Sequence, residues 1–512
     1  MSKKIVIDPI TRIEGHLKVE VEIENNKIVD AKCSGMLYRG LEKILIGRDP
    51  RDANQITQRI CGVCPMAHAA ASAMCLDDAF GISGKITENG WLVRNLIHVS
   101  NHIHNSILHF YHLSALDYVD VSKVSRGVSS ELDLVCKFLE RDKYYPFVPR
   151  EEDFRLPQKI NERMVHNYLK ALEIRRNTHE MLSVFGGKMP HQCGIVPGGV
   201  SQNIDAGKIE SFLGKLKDVK EFIDLYYIRD LIDVATYYPE YFQIGKGCEN
   251  YLAYGVFPVR KNGKIEKFQP SGIVIGGEKF EELEVSEIRE CVTHSWYEGE
   301  VKNPACDFPE VDIEKENVYS WIKSPRYRGE VFEVGPLARL VVAYRKGQQP
   351  WKGAIESFLS ELKIDIGKLF SVLGRHIART IEAKVLTEEA MKWLLQINPE
   401  EPFYTNYEIP EEGEGNGLSE GARGAVGHWI KIENKKIAHY QVISPTTWNA
   451  SPKDDKGKQG PIEQALLGTE IKDENNPVEV LRIVRSFDPC LACAVQIVNR
   501  KKLKSKQVIL WV

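Results

Sequence analysis

The 512-residue chain lacks any run of about eighteen or more apolar residues, so no segment reads as a membrane-spanning helix. It lacks a dominant charge of either sign. The 68 Lys and Arg face 71 Asp and Glu, a formal net charge of -3, which removes the electrostatic case for nucleic acid or another polyanion as partner. Cysteine is sparse: eleven residues, an odd number. That is unlike the dense, even framework of a small disulfide-bonded domain, and reduced thiols, some of them ligands, fit better. Internal repeats and low-complexity linkers are also missing, which favours one large body over a string of domains. The opening residues Met1 to Asp8 enter a strand-like pattern without a signal-peptide core, so no export address is expected on this chain itself.

What is present is a chain able to bury a sizeable core, 43% of it hydrophobic. Apolar alternation at Leu17, Val19, Val21 and Ile23, a turn at Asn25-Asn26 and a return through Ile28-Val29 predict a small antiparallel sheet over residues 1–35. From 87 to 119, Leu92, Leu96, Val99, Ile103 and Leu108 recur at helical spacing with no proline, predicting a long core helix. Further helices are expected at 157–186, 206–235, 352–382 and 386–396, with glycine-rich separators such as Gly413-Glu414-Gly415. Strands are expected near both ends and around 257–276 and 425–444. The fold class is therefore α+β and predominantly helical, with long central helices and small peripheral sheets. After Gln496 the composition turns towards lysine, so 1–496 reads as the body and 497–512 as an appendage.

Two Cys-x-x-Cys pairs stand at opposite ends, Cys61-Gly62-Val63-Cys64 and Cys490-Leu491-Ala492-Cys493. Two intervening residues let a tight turn aim both thiolates at one metal, so each pair is half of a four-sulfur site. Spacing alone leaves three readings open: a structural zinc site, two unrelated pairs, or a joint transition-metal site.

The flanks carry more. Arg59-Ile60-Cys61-Gly62-Val63-Cys64 with His68, and Asp488-Pro489-Cys490 with Cys493, resemble the large subunit of nickel-iron hydrogenases. So do Asp8-Pro9-Ile10-Thr11-Arg12-Ile13-Glu14-Gly15-His16, Arg39-Gly40-Leu41-Glu42, Val334-Gly335-Pro336-Leu337-Ala338-Arg339 and Thr446-Thr447-Trp448-Asn449, and the likeness spans residues 5 to 496. The resemblance implies that family's fold and reversible heterolytic oxidation of H2 to protons and electrons. It implies Cys61 and Cys490 as terminal nickel ligands, and Cys64 and Cys493 bridging nickel to an iron that carries carbon monoxide and cyanide. Soft thiolates suit both metals.

By the same resemblance Cys490 is the first proton acceptor and Glu14 passes protons outward. Arg423 is electrostatic support over the metals, braced by Asp117 and Asp488. Thr446 donates to a cyanide, Pro445 and Ala422 wall the pocket, and His68 is a hydrogen-bonding neighbour of the metals. His98, His102 and His109 share a helix face and read as polar packing. Glu42, the Val442 carbonyl and Gln496 would hold a magnesium or iron ion; the family commonly has histidine where Gln496 stands, and an amide oxygen suits magnesium better. Residues 497–512 match a tail that a maturation protease removes, and metal-insertion proteins are implied as well. Cys33, Cys75, Cys136, Cys193, Cys248, Cys291 and Cys306 show no iron-sulfur spacing, so the electrons need a separate iron-sulfur small subunit. Through it a periplasmic or membrane-associated location follows, with the cytoplasm left open. The competing readings are a relative of the quinone-site subunit of respiratory NADH dehydrogenase, which lacks the cysteine pairs, and a zinc-stabilised scaffold.

Overall fold

The computed structural model describes residues 3–38, 40–141, 153–307 and 310–494. Strands β1 (Lys3–Ile7), β2 (Leu17–Glu24) and β3 (Lys27–Gly35) form an antiparallel sheet in that order. Asn25 and Asn26 both take positive φ, 51° and 61°, as a two-residue hairpin turn demands.

Helix α1 (Pro65–Ala79) starts directly after Cys64, with proline at its first position, where no backbone donor is needed. Helix α2 (Glu88–Ile107) is capped by the Thr87 side chain and buried almost throughout. Its 3.6-residue pattern continues into a π-helical turn, Leu108–Ser114, and a 3-10 turn, Ala115–Asp117. The expected helix over 87–119 is thus present, with a widened last third. Helix α3 (Gln158–Gly186) packs along α2, and α4 (Ala206–Phe222) packs on α3.

After α5 (Pro336–Lys346) the chain departs from the expected boundaries. A helix over Trp351–Leu362 ends with Lys363 in the left-handed region, and α6 (Val372–Gln396) then runs unbroken under a Ser371 cap. The break lies near 363–371, where caps act, and nothing interrupts 383–385. Helix α6 also packs on α2, so α3 and α6 share α2 at the centre of the core.

Strands β4 (Glu412–Gly421), β5 (Gly424–Glu433) and β6 (Lys436–Ile443) make a second antiparallel sheet. The sequence reading took Gly413-Glu414-Gly415 for a separator; it is strand. Gly413, Gly415 and Gly417 alternate onto one face, and that face lies on α1. A Cβ at Gly417 would sit 1.9 Å from the Ala71 carbonyl oxygen, and one at Gly415 would sit 2.5 Å from the Ala79 nitrogen. The glycines are a docking surface for a helix. Helix α7 (Val478–Ser486) then leads into Cys490 and the short helix Leu491–Ala494.

Candidate metal centre

The two cysteine pairs meet. All four Sγ atoms lie within 4.8 Å of one another, and all four residues are buried. Sγ to Sγ, Cys61 is 3.4 Å from Cys490, Cys64 is 3.3 Å from Cys493, and Cys490 is 3.0 Å from Cys493. Cys64 precedes the N-terminus of α1, and Cys490 precedes the last short helix. Burial pushes the Cys490 and Cys493 thiols well up, while hydrogen bonds from Cys490, Cys493 and Cys64 push Cys61 well down. Four thiols so close, dry and unequal are a donor set for soft metal, since bound metal keeps all of them deprotonated. Among the described residues this is the one such group of Cys, His, Asp and Glu.

Glu14 reaches the cluster because its strand-like segment pairs in parallel with Cys490. The Leu491 N–H donates to the Glu14 carbonyl at 2.8 Å, and Gly15, at φ 81°, lies so close that a Cβ there would meet Leu491 Cβ at 2.8 Å. The Glu14 carboxylate accepts from the Cys490 thiol at 3.1 Å and from the Ala492 N–H at 2.9 Å. Burial, then the Cys61 charge, raise its pKa against those bonds and Arg423. Glu14 is half-buried and Gly15 exposed, so this carboxyl joins the cluster to the surface.

Arg423 occupies the tip of the β4–β5 hairpin and is 3% exposed. Burial disfavours its charge, but Asp488 and the thiolates of Cys490, Cys64 and Cys61 outweigh that and raise its pKa well above the ordinary value. Its Nη2 donates to Asp488 at 3.1 Å, as expected from the sequence. The second expected brace is corrected: Asp117 binds Arg12 and Arg485, and its backbone carbonyl accepts from Arg482. Those three arginines keep Asp117 low against burial. Its place on the 3-10 turn at the far end of α2's extension directs it to α7 and to the segment between β1 and β2 that carries Arg12.

The residue that does brace Arg423 is Asn105. Its Oδ1 accepts from Arg423 Nη1 at 2.8 Å, while its Nδ2 donates at 3.1 Å to the carbonyl of Val63, between the first two cysteines. Asn101 Nδ2 donates to the same carbonyl, also at 3.1 Å. Sequence reasoning passed over both asparagines; their one signal was i, i+4 spacing of amides on the expected core helix.

Thr446 Oγ1 accepts from the Cys490 N–H at 2.9 Å, which leaves its own proton to donate elsewhere. It lines a small cavity beside Cys64, Cys490 and Cys493, with Pro445, His68 and Arg423. His68 Nδ1 lies 3.2 Å from His428 Nε2, and His428 Nδ1 lies 2.8 Å from the Tyr440 hydroxyl. The Ala422 carbonyl accepts from Arg339 at 3.3 Å, next to the tip. Buried His98, pushed down to about 3 by burial, packs on Phe257.

Glu42 is buried against the Val442 main chain, accepting its N–H at 3.1 Å; burial, relieved in part by Lys323, pushes its carboxyl up to about 7. Gln496 and the expected tail 497–512 lie outside the described residues.

Residues 39–496 match the family model described as nickel-dependent hydrogenase, and residues 4–34 match one described as HoxL-like. The chain is 43% identical over 516 residues to the periplasmic NiFeSe hydrogenase large subunit of Desulfomicrobium baculatum, covering 97% of this chain and 95% of that one. It is 34% identical over 563 residues to the quinone-reactive Ni/Fe-hydrogenase large chain of Wolinella succinogenes, covering 98% and 97%. Among solved structures it is similar to the H2-activated, anaerobically purified NiFeSe hydrogenase of Dm. baculatum, with a TM-score of 0.86, 42% identity, and coverage of 97% of this chain and 100% of that one. Where that name includes selenium, all four cluster positions of this chain are cysteine.

Proposed function

The chain belongs to the nickel-dependent hydrogenase family, and from that premise we propose how its residues divide the reversible oxidation of H2 to protons and electrons. The observation that carries the reading is the closure of four buried thiols, from pairs 429 residues apart, into a group spanning less than 4.8 Å. A structural zinc module gathers its ligands locally, and spending the two ends of a large fold on one site suits a reactive centre better.

Cys61, Cys64, Cys490 and Cys493 would hold nickel and iron. When bound, this centre, with carbon monoxide and cyanide on iron, supplies a redox-active site where hydrogen is split heterolytically. The remaining work belongs to the chain. Cys490 Sγ takes the proton and hands it to the Glu14 carboxyl at 3.1 Å; burial raises the pKa of Glu14, which suits a group that must hold a proton as well as release it. Arg423, permanently charged, stabilises negative charge on the thiolates and works as a fixed electrostatic support, not as a base. Thr446, whose hydroxyl proton is free to donate into the small cavity, would hydrogen-bond a cyanide of the bound centre; Pro445 and His68 line that space, and Ala422 stands next to Arg423 at its edge.

Glu42 and the Val442 main chain, with Gln496, would hold magnesium, the hard cation that suits carboxylate, carbonyl and amide oxygens. An iron-sulfur small subunit takes the electrons. The relatives are named large subunit and large chain, which supports a smaller partner. Residues 497–512 would be removed by a maturation protease after metal insertion, so mature protein should be lighter by that segment on intact mass. A periplasmic or membrane-associated location through the small subunit fits a periplasmic relative and a structure in which no described helix is long and apolar enough to cross a membrane.

The test is an infrared spectrum and metal analysis of natively purified complex. Stretching bands of metal-bound carbon monoxide and cyanide, with nickel and iron in equal amounts, are expected. Zinc without bands in mature protein returns the cysteines to a structural role.

A further inference from the structure

Arg339 sits in the first turn of α5, fully buried, and each of its five N–H donors has an oxygen acceptor. Nε and Nη2 take the two Glu382 oxygens at 2.6 and 2.7 Å, and Nη1 takes Glu420 at 2.9 Å. The two remaining donors reach main-chain carbonyls, Gly421 at 2.8 Å and Ala422 at 3.3 Å. Those carbonyls immediately precede Arg423.

The surroundings are built to the same end. Gly421 pairs with Gly424, so Ala422 and Arg423 alone form the hairpin tip. The tip rests on the start of α5. A Cβ at Gly335 would lie 3.0 Å from the Arg423 carbonyl oxygen, and one at Gly424 would lie 2.6 Å from the Gly335 nitrogen. Glu382, in mid-α6, is tied further by Gln269 at 2.7 Å and holds its charge because Arg339 outweighs the cost of burial. The Arg423 side chain is held at its far end by Asp488 and Asn105; the backbone it springs from is held at Gly421 and Ala422 by a saturated guanidinium anchored on α6.

We propose that Arg339 is the positioning residue for Arg423, setting the height and direction at which that guanidinium stands beside the thiols. The assignment rests on the hydrogenase reading above. It follows that Arg339 acts on turnover only through Arg423, and a displacement of about 1 Å at such a group suffices for a large rate effect.

The experiment compares Arg339→Lys, Arg423→Lys and the double variant in the intact complex with the small subunit, measuring nickel and iron content, infrared bands and H2 oxidation. Arg339→Lys is expected to keep its metals, shift the cyanide bands and lose about tenfold or more in turnover. The double variant should be no slower than Arg423→Lys alone, because no guanidinium remains to be positioned. Multiplying effects would overturn the proposal. If Arg339→Lys fails to accumulate with metal, Glu420→Gln replaces it: both Glu420 oxygens accept, from the Tyr254 N–H at 2.6 Å and from Arg339 at 2.9 Å, so the amide turns an N–H against one of those donors and loosens the Glu420 anchor; the same non-additivity with Arg423→Lys is expected, multiplication again overturning it. Failure of the functional reading is distinguishable, since the unmodified complex would then lack nickel and bands, and this assignment would fall with it.

Discussion

At the scale of single residues, the centre depends on what each polar group already satisfies. Arg423 has one carboxylate partner, Asp488, and one neutral one, Asn105, so its charge is not fully cancelled and is left to face the thiolates. A second carboxylate there would have drawn the guanidinium away and weakened that field. Asp117 is consumed by arginines of the scaffold, which is why a match by sequence position misassigned it. Glu14 is the carboxyl best placed for the proposed proton path, because it touches both Cys490 and a backbone donor beside it. Glu14→Gln preserves its shape and removes its proton affinity. The expected result is unchanged metal content and infrared bands, with H2 oxidation lowered by about 10²- to 10⁴-fold. Full turnover in that variant would exclude Glu14 from the proton path.

At the scale of elements, close backbone approaches set the geometry. The glycine face of β4 lets α1 lie directly on the strand, so the helix that starts at Cys64 and the hairpin that carries Arg423 become one rigid piece. Gly15 plays the same part between the N-terminal segment and Cys490. Alanine there must adopt a positive φ, at about 1–3 kcal/mol of strain, and its Cβ would collide with Leu491. Gly15→Ala is therefore expected to lower the thermal midpoint and slow turnover, by moving Glu14 off Cys490, while Cys61 and Cys64 are untouched. The check is a melting curve beside an activity assay; wild-type values in both would refute the close approach. Helices α2 and α3, the β1–β3 sheet and strands β5 and β6 were legible from periodicity and turn residues. Strand β4 was not, because glycine is a turn signal in sequence and becomes a packing surface only when a helix lies against it.

At the scale of the whole molecule, the ends of the chain are woven together. Besides the cysteines, Glu463 joins its own segment to two distant ones: its carboxylate accepts from the Cys33 N–H at 2.8 Å and the Tyr319 hydroxyl at 3.0 Å, and from the Gly460 N–H at the start of its own helix at 3.3 Å. Burial nevertheless pushes its pKa up to about 8, above the ordinary 4.5. Between those values the folded protein binds more protons than the unfolded chain, so this group's contribution falls as pH rises through the window and levels off above about 8. Glu463→Gln removes the titration. Urea midpoints of the metal-loaded protein at about pH 5 and pH 8 should differ less in the variant than in the parent; an unchanged difference would show that Glu463 does not drive it.

The sequence alone determined the helical class, the hairpin at Asn25-Asn26, the two cysteine pairs and, through flanking motifs, the roles expected of Glu14, Arg423 and Thr446. These are local facts: period, turn chemistry and spacing are written within a few residues. The tertiary structure decided that the two pairs converge, that Asn105 and not Asp117 braces Arg423, and that Arg339 holds the tip from which Arg423 projects. Those depend on which buried donor finds which acceptor across hundreds of residues, a matter settled by the packing of α1, α2, α5 and α6 around one another and absent from any single stretch of chain.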